Sequence, residues 1–390
     1  MPEDRRRAIV LGVHSFQNNN VKVGIQYIAE GLADSGWCVD YVSIFSSPFD
    51  IHGPQRRHRL KRVWLDRQDR YGIDIKPGLT EFAFRSIFPA HKKFLRYGWQ
   101  TRTYLALTPP WLKCKRYDIC INDVTSNIVY LPLIQADLNI LRLNDLPEGF
   151  GYALSIHIIN RFKNHIRSNS YDEIWSAHEP LTRYALELNP ANHVVTIPNG
   201  VDEIFLATTA KGTRKAKTAI FIGSVEEWVD LELLDKTASL LPDWRFDVIG
   251  PLNRPWPKKI CNIKWLPPIA REVVPETLAR YTVGLIPFRN ISGRLNYVDR
   301  PLKFFEYIGA GLGVASTDVG ALRYCIGDWA SYGNTPEDFA KAIQREANRA
   351  MFRSAETCRE MIQEYSWGNI ISTLNKRIEN LLHISKDNMA

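Results

Sequence analysis

The feature that most constrains this chain is an alternation of short apolar runs with helical patterns, which occurs twice along its 390 residues. The first series opens with an apolar run at 8–13, a turn, a helical pattern at 21–35 that Gly36 ends, and a second apolar run at 38–44. Strand, turn, helix and strand in this order is typical of a βαβ unit, and such units build parallel sheets. The sequence therefore predicts an α/β fold.

Both series can be followed further along the chain. In the first, predicted strands lie at 117–121, 138–143, 173–177 and 194–197, and predicted helices at 153–164 and 180–188. In the second, predicted strands lie at 219–222, 245–249, 263–266, 283–286 and 313–316, and predicted helices at 230–241, 274–280, 302–308, 336–346 and 369–382. A polar, basic stretch at 208–218 separates the two series and has the composition of an interdomain connector.

Two doubly wound domains are expected, because the chain is longer than one hydrophobic core usually serves. We place an N-terminal Rossmann-like domain at residues 1–205 and a C-terminal one at 206–365. Residues 366–390 are predicted to form a helix that packs back on the N-terminal domain. Doubly wound domains bind ligands at the carboxyl ends of their strands, so we expect a ligand site in the cleft between the two.

The composition excludes several classes of protein. Apolar residues make up 45% of the chain and charged residues 24%, which is ordinary for a folded protein. No apolar run reaches the length of about 18 residues that a membrane-spanning helix needs, and the N-terminus has no signal-peptide pattern. The six cysteines are scattered without metal-binding or redox spacing, which fits a reducing cytoplasm.

A predicted helix in the second series begins with positive charge. Pro301 suits the first helical position, and Gly309 or Gly311 suits the end. Arg300 and Lys303 then lie in the first turn, where a cation opposes the helix dipole at a cost of about 0.3–1 kcal/mol. A bound pyrophosphate would turn this cost into an anion site.

Two neighbouring features extend this site. Glu306 lies one turn deeper on the helix face of Lys303, and its oxygens can accept hydrogen bonds from a ribose diol. Gly223 and Ser224 follow the predicted strand 219–222, where a glycine lets the backbone approach a ligand closely. The alternatives are a surface helix with a Lys–Glu pair, and a glycine that only forms a turn.

Five stretches resemble GT-B glycosyltransferases of the group 1 or family 4-like type, in the order these enzymes have them. PLKFFEYIGAGLGVASTDVGAL, at 301–322, is similar to their donor-binding stretch P-L-K-x-x-E-Y-x-A-x-G-x-P-V-V-A-T. The others are HVVTIPNGVDEIF, AIFIGSVEEWVDLELL, WRFDVIGP and YTVGLIPFR. The match is good over residues 194–325 and holds only in outline before them, so the fold it implies is GT-B, with two Rossmann-like domains facing a cleft.

The resemblance implies a donor site for a nucleoside diphosphate sugar, with UDP by analogy. It assigns phosphate contact to Lys303 and ribose contact to Glu306. The implied donor-binding residues are Gly223, Ser224, Phe288, Arg289, Arg300, Leu302, Lys303 and Glu306. Helix ends and basic side chains usually balance the phosphate charge in this class, so no cofactor and no obligatory metal are expected.

One departure from the family bears on stereochemistry. Many retaining members carry an acidic residue eight positions before the ribose glutamate, and that position is Val298 here. Asp299 and Arg294 lie nearby but at the wrong spacing. An inverting transfer is therefore favoured, and retaining chemistry stays open.

Inverting transfer needs a general base in the N-terminal domain. Asp145 ends the segment RLND at the carboxyl end of a predicted strand, and this segment resembles the R-x-S-D turn of the bacterial xanthan-type inverting glucuronosyltransferases, where the aspartate is the base. The alternative is an Asx turn before Pro147. His14 is a second candidate, as a base or an acceptor contact, although a lone histidine in a turn is more often structural; Glu148 and His178 rank behind both.

Positive charge is concentrated between His52 and Arg116, where sixteen Lys or Arg face four Asp or Glu. Basic residues mixed with aromatic ones are typical of segments at membrane interfaces. The residues predicted to face a membrane are Arg56, Arg57, Arg59, Lys61, Arg62, Trp64, Lys92, Lys93, Arg96 and Trp99. The alternative is a solvated charged face with the aromatics in the core.

The sequence therefore predicts a glycosyltransferase that moves a sugar to a lipid-linked or polysaccharide-precursor glycan, in the cytoplasm and peripherally on the inner face of the cell membrane. Its expected partners are a nucleotide-sugar donor, a glycan acceptor and an anionic membrane surface. A GT-B sugar-nucleotide epimerase is a weaker alternative. A nucleic-acid partner is not expected, because no nucleic-acid-binding module is present.

Overall fold

The computed structural model describes residues 5–17, 22–49, 54–89, 97–150, 154–207, 215–252, 256, 262–291, 293–298 and 300–387. These residues form two compact units. Unit 1 contains the chain up to Ile197 together with the part from Ile371 onward, and unit 2 contains Pro198–Ile370.

Unit 1 is built on an eight-stranded sheet. Its strands are β1 (Arg7–Leu11), β2 (Cys38–Ser46), β3 (Ile73–Lys76), β4 (Leu79–Arg85), β5 (Arg116–Asp123), β6 (Gln135–Leu143), β7 (Glu173–Ser176) and β8 (Val194–Thr196). Their order is β3-β4-β2-β1-β5-β6-β7-β8, and every neighbouring pair except β3–β4 is parallel. The central strand β1 is fully buried from Ala8 to Leu11, as expected for an apolar strand covered on both faces.

Helices connect these strands. Those of unit 1 are α1 (Gly24–Asp34), α2 (Pro54–Leu60), α3 (Gln68–Tyr71), α4 (Gly98–Ala106), α5 (Trp111–Cys114), α6 (Ile156–Arg167) and α7 (Glu179–Leu188). A π-helical turn follows at Lys61–Leu65, and 3₁₀ turns lie at Ser126–Leu133 and Pro147–Phe150. Ser155 caps α6 by accepting a hydrogen bond from the Ile158 N–H, which fixes where that helix begins.

Unit 2 repeats the α/β pattern with six strands. They are β9 (Thr218–Ile222), β10 (Arg245–Ile249), β11 (Ile263–Leu266), β12 (Val283–Ile286), β13 (Gly313–Ser316) and β14 (Ser331–Tyr332), in the order β11-β10-β9-β12-β13-β14. All paired neighbours are parallel. Its helices are α8 (Glu203–Ala207), α9 (Leu231–Leu240), α10 (Val274–Leu278), α11 (Leu302–Gly309), α12 (Leu322–Ile326), α13 (Pro336–Ala350) and α14 (Ala355–Gln363).

The last helix, α15 (Trp367–Asp387), begins in unit 2 and continues in unit 1. Its Arg377 forms a bidentate ion pair with the buried Glu173, with Nε–Oε1 and Nε–Oε2 distances of 2.6 and 2.9 Å. Glu379 pairs with Arg6, and Asn375 donates to Ser35 Oγ at 2.6 Å. These contacts attach the C-terminal part of α15 to the sheet and helices of unit 1.

The predicted α/β class and the two doubly wound sheets are confirmed. Unit 2 starts at Pro198, eight residues before the predicted boundary, because Val201 pairs with the segment that precedes α15: its N–H donates to Tyr365 O at 2.7 Å. The basic segment, which shows no clean periodicity in the sequence, contains β3 and β4. No helix among the described residues is both long and apolar enough to cross a bilayer.

Candidate functional site

Two glycines stand at the carboxyl ends of adjacent strands in unit 2. Gly223 follows β9 with a φ of 129°, and Gly250 follows β10 with a φ of 143°. A Cβ atom on Gly250 would lie 2.2 Å from Gly223 O, and one on Gly223 would lie 2.1 Å from Lys303 Nζ. Both the backbone conformation and the close approach therefore require glycine, and they bring the β9 loop directly against Lys303.

Lys303 lies in the first turn of α11, half-buried, with Nζ 5.1 Å from the centre of the Phe221 ring. Among the described residues, no hydrogen bond or ion pair reaches this ammonium group. Burial lowers the pKa of Lys303, and the charge of Glu306 partly opposes that shift. A cation at a helix start, beside a glycine turn and without an anion, is an arrangement suited to bind phosphate.

Glu306, one turn further along α11, is held by a different cation from the one the sequence suggested. Its Oε1 lies 3.5 Å from Arg271 Nη1, and Arg271 Nε donates to Asp202 Oδ2 at 3.2 Å. The simple Lys303–Glu306 surface pair is therefore not formed. Arg271 was missed because it lies in a short 3₁₀ turn, Arg271–Val273, whose residues show no distinctive pattern.

Three of the other predicted donor residues make contacts within unit 2, and one is exposed. Ser224 donates to Glu226 at 2.5 Å, and Arg300 stacks 5.6 Å from the Tyr365 ring. Leu302 is exposed. Arg289 Nε donates to the Glu227 carbonyl at 2.9 Å.

Phe288 is placed differently from the prediction. Its ring is buried in the core of unit 2, and its N–H donates to Thr317 Oγ1 at 3.0 Å. The side chain therefore packs the core instead of lining an open pocket. Pro301 directly precedes α11 instead of being its first residue, the helix begins at Leu302 as the predicted range 302–308 has it, and Gly309 ends it as expected.

In unit 1, titratable side chains follow four strands that are neighbours in the sheet. Parallel strands end at the same edge, so these side chains share the carboxyl edge of the order β1-β5-β6-β7. The four are His14 after β1, Asp123 at the end of β5, Asp145 after β6 and His178 after β7. The sequence singled out three of them and missed Asp123, whose position depends on β5 lying between β1 and β6.

Asp145 is half-buried and lies two residues beyond the end of β6. Its Oδ1 accepts a hydrogen bond from the Leu146 N–H at 2.9 Å, a contact to the next residue. Arg142 on β6 is buried and donates to the Ile197 carbonyl at 2.5 Å. Burial lowers the pKa of Arg142 to about 10, against the opposing charge of Asp123.

Asp123 is only 8% exposed, and its Oδ1 accepts from the Val124 N–H at 2.8 Å. Burial raises the pKa of Asp123 to about 6. The Val124 hydrogen bond and the charge of Arg142 work in the opposite direction, while the charge of Asp145 adds to the increase. The pKa of Asp123 therefore lies above the ordinary range of an aspartate.

The loop after β1 is held in place by surrounding side chains. Tyr41 Oη donates to the His14 carbonyl at 2.8 Å, and Asn127 Nδ2 donates to Gly12 O at 2.7 Å. His14 is half-buried; burial lowers its pKa, and the positive charge of Arg59 lowers it further. His14 is thus a neutral imidazole at neutral pH, consistent with an acceptor contact.

The outlying candidates are held by structural contacts. Glu148 accepts from Tyr184 Oη at 3.2 and 3.1 Å and pairs with Lys163 at 2.6 Å. His178 is buried at the position that precedes α7.

Two of the residues predicted to face a membrane make contacts within unit 1, and one of them, Arg62, is buried. Arg62 is 8% exposed: it donates to Ser15 Oγ at 3.1 Å and lies 3.7 Å from Glu81, which also accepts from the Phe16 N–H at 3.0 Å. Trp64 is half-buried and donates to the Ser46 carbonyl at 3.3 Å. Both support the core and the β1 loop.

The other residues predicted to face a membrane differ in how far their side chains are exposed. Arg57, Lys61 and Trp99 are exposed and Arg59 is half-buried. Lys92, Lys93 and Arg96 lie outside the described residues, as does the side chain of Arg56.

Comparison with known proteins shows which solved structures share this architecture. No protein-family model matches the chain, and no curated protein matches it. Solved structures do. A sucrose-phosphate synthase from Thermosynechococcus elongatus superposes with a TM-score of 0.70 at 14% identity, covering 97% of this chain and 100% of that one. A glycosyltransferase from Rickettsia africae gives 0.65 at 12% identity, covering 97% and 99%.

A third structure, Anabaena HepE in complex with UDP-glucose, gives a TM-score of 0.62 at 10% identity, covering 96% of this chain and 99% of that one. The chain has the GT-B fold. This confirms the fold expected from the five stretches quoted above. In this GT-B chain, the glycine–lysine contact belongs to unit 2 and the row of titratable groups belongs to unit 1.

Proposed function

We propose that this GT-B chain is a glycosyltransferase whose donor is a UDP-sugar. The observation that carries the proposal is Lys303 Nζ, held without an anionic partner among the described residues, against the glycine turn at Gly223. HepE, which shares the fold, was solved with UDP-glucose and also with UDP. The first experiment offers the protein UDP-, GDP- and dTDP-sugars and measures binding and nucleotide release; preference for a GDP- or dTDP-sugar would overturn the UDP assignment.

The donor is held by charge and by hydrogen bonds. The Lys303 ammonium and the first N–H groups of α11, which lack partners within the helix, neutralise the diphosphate. Glu306, kept in place by Arg271, accepts hydrogen bonds from the ribose hydroxyls. Because Lys303 is already positioned, little side-chain entropy is lost on binding.

We propose that transfer inverts the anomeric centre, with Asp145 as the general base. The acceptor oxygen forms a bond to the anomeric carbon as the bond to the phosphate oxygen breaks; UDP leaves, and the acceptor proton passes to Asp145. One carboxylate oxygen is already fixed by the Leu146 N–H. The test is the anomeric configuration of the product by NMR, and a product that keeps the donor configuration would support the retaining alternative.

We propose that the acceptor is a lipid-linked or polysaccharide-precursor glycan at the inner face of the cell membrane. Arg57, Lys61 and Leu65 are exposed in the basic segment, and Leu65 is 73% exposed. Trp99 is a further exposed aromatic, at 59%. Exposed cations beside apolar side chains favour a surface of anionic lipid.

Co-sedimentation with vesicles tests the membrane proposal. The wild type is expected to bind vesicles containing anionic lipid at low salt and to be released at high salt. Arg57→Gln with Lys61→Gln should weaken binding, whereas the matched pair Lys341→Gln with Arg345→Gln on α13 should not. Equal binding to neutral and anionic vesicles, or to RNA, would contradict the proposal.

We propose that no metal ion is obligatory, because Lys303 and the start of α11 supply the positive charge. Among the residues that the structure describes, no group of three or more His, Cys, Asp or Glu is arranged to hold a metal ion. Turnover is expected to survive dialysis against EDTA. Loss of activity in EDTA that Mg²⁺ or Mn²⁺ restores would contradict this.

A further inference from the structure

Helix α6 of unit 1 carries a row of basic side chains that the proposed reaction does not use. His157, Arg161 and His165 are spaced four residues apart, so they lie on one face of the helix, with a rise of about 6 Å from one to the next. Each is half-buried, beside the buried Ile158 and Phe162 of the same helix. The three side chains therefore form one basic row, called the α6 row below, that is partly withdrawn from water.

Arg161, in the middle of the α6 row, is not paired with an acid. Among the described residues, no hydrogen bond or ion pair reaches its guanidinium group. Lys163 on the same helix, in contrast, pairs with Glu148 at 2.6 Å. Burial lowers the pKa of Arg161, and the phenol of Tyr171 opposes that shift. A cation that is partly withdrawn from water is costly without a counter-charge, so a ligand that brings negative charge would stabilise this arrangement.

The two ends of the α6 row are held by other elements of unit 1. His157 Nε2 lies 3.4 Å from Thr101 Oγ1 on α4. The ring centres of His165 and Tyr171 lie 5.8 Å apart. The Tyr171 hydroxyl accepts a hydrogen bond from Asn122 Nδ2 at 3.1 Å, and both of these residues are buried. Because the histidines are already positioned, little side-chain entropy is lost when a ligand binds.

The chemistry of the three side chains matches an anion with several oxygens. A guanidinium group offers a planar fork of N–H donors that fits two oxygens of a phosphate group. A neutral imidazole still donates through one ring N–H, so each histidine can supply a further hydrogen bond. Burial and then the charge of Arg161 lower the pKa of both His157 and His165, and a bound anion would relieve this repulsion.

The position of the α6 row relates it to the acceptor. α6 connects the end of β6 to the start of β7, so His157 in its first turn lies towards the carboxyl edge of the sheet, as Asp145 does. Exposed apolar side chains lie close to this end in sequence. Ile156 directly precedes His157 and is 63% exposed, and Trp99, two residues before Thr101 on α4, is 59% exposed.

We propose that His157, Arg161 and His165 bind a phosphate group of the acceptor. The inference deepens the proposed function, and it rests on that function for the identity of the ligand. A lipid-linked glycan and a free phosphate compound would present the same oxyanion to the row. The apolar side chains Ile156 and Trp99 favour the lipid-linked acceptor, because a lipid chain next to the phosphate gains from covering them.

NMR of isotope-labelled histidine reads this site without turnover and without a variant. Sodium pyrophosphate is titrated into the wild type at constant pH and ionic strength. The signals of His157 and His165 should shift together and saturate on one binding curve, whereas those of the exposed His193 and His383 should not move. The absence of a saturable shift at His157 and His165 would overturn the inference.

Variants of the central arginine test which side chain binds the anion. In Arg161→Gln the dissociation constant for pyrophosphate should rise about tenfold or more, because the charged hydrogen bonds are lost. Arg161→Lys keeps the charge but loses the fork, so a loss of about threefold is expected. Arg167→Gln, which removes an exposed cation from another face of α6, is the matched control and should bind as the wild type does. Equal affinity in Arg161→Gln and Arg167→Gln would overturn the site.

Farnesyl diphosphate, a soluble prenyl diphosphate, separates the two sources of phosphate. Followed through the same histidine signals, it should bind about tenfold more tightly than pyrophosphate, because its prenyl chain covers apolar surface. Equal affinity for the two compounds would overturn the assignment to a lipid-linked acceptor and identify a free phosphate compound as the ligand.

This inference and the proposed function fail in different measurements. A wild-type protein that neither binds a nucleotide sugar nor releases its nucleotide would refute the proposed function, whatever the histidine signals show. An active glycosyltransferase whose His157 and His165 signals do not respond to either diphosphate would refute only this inference.

Discussion

The carboxyl edges of the two sheets carry opposite chemistry on the same architecture. In unit 2, the edge presents a cation and backbone donors, because Lys303 lies against Gly223 at the start of α11. In unit 1, the equivalent edge presents proton acceptors, with Asp123 and Asp145 after neighbouring strands. The difference teaches that the fold supplies only a place where strands end, and the side chains decide whether that place holds an anion or takes a proton.

The largest effect on activity is expected from a change in unit 1, on the acceptor side. Asp145→Asn should lower kcat by about 10²–10⁴, because the acceptor hydroxyl loses its general base. The dissociation constant for UDP should not change, since unit 2 is untouched. Steady-state kinetics and calorimetry measure the two quantities. Near-normal kcat would remove Asp145 from the mechanism.

A smaller effect is expected from steric change on the donor side. Gly223→Ala puts a Cβ 2.1 Å from Lys303 Nζ at a φ of 129°, so the lysine must move away from the diphosphate. The affinity for UDP should fall about tenfold, the equivalent of one lost charged hydrogen bond.

Gly327→Ala is the matched control for this change. Gly327 also has positive φ, at 57°, but a Cβ there meets nothing within 4 Å. It should lose stability without losing UDP affinity. If both variants bind UDP equally well, the contact between Gly223 and Lys303 has no part in donor binding.

The buried Asp123 should also make the free energy of unfolding depend on pH. Burial raises the pKa of Asp123 to about 6 in the folded protein, whereas an unfolded aspartate titrates at about 3.9. Between these values the folded state binds more protons, so Asp123 destabilises the fold above pH 6 and this penalty is relieved as the pH falls. The free energy of unfolding, wild type minus Asp123→Asn, should rise by roughly 1 kcal/mol from pH 8 to pH 5.

Urea unfolding at the two pH values measures this difference. Asp137→Asn supplies the control, because Asp137 is paired with the exposed Arg116 and is not buried like Asp123. A difference that is independent of pH would mean that Asp123 does not titrate in this range.

The smallest effect is expected in unit 2, where Arg271 contributes to the affinity for UDP. Arg271→Gln removes the cation that holds Glu306, so the affinity for UDP should fall about threefold to tenfold, the worth of one hydrogen bond. The loss should be smaller for 2′-deoxy-UDP, which offers fewer hydroxyls to Glu306. Equal losses for both nucleotides would show that Arg271 acts on another part of the donor.

The residues proposed for the donor side can be read from the sequence because their signals are local. Gly223 directly follows an apolar strand, and Lys303 and Glu306 share one short helix, so order along the chain already brings the right residue types together. Asp145 was singled out for the same reason, at the end of a recognisable strand. The fold followed from the alternation of strands and helices.

Other residues could not be predicted because their environment depends on distant parts of the chain. Arg62 and Trp64 have the composition of a membrane-facing segment, yet Arg62 is buried against Glu81 on β4, nineteen residues later in sequence. Asp123 gains its neighbours only when β5 lies beside β6. Arg271 is linked to Glu306 across thirty-five residues of sequence.

Calorimetric titration of UDP into the wild type, Lys303→Gln and Lys341→Gln tests the central claim most directly. Loss of one charge-assisted contact is worth about 1.5–3 kcal/mol, so the dissociation constant for Lys303→Gln should rise about tenfold to a hundredfold. Lys341→Gln, at an exposed lysine on α13, should bind as the wild type does. UDP binding of equal strength in all three proteins would contradict the assignment of Lys303 to the donor diphosphate.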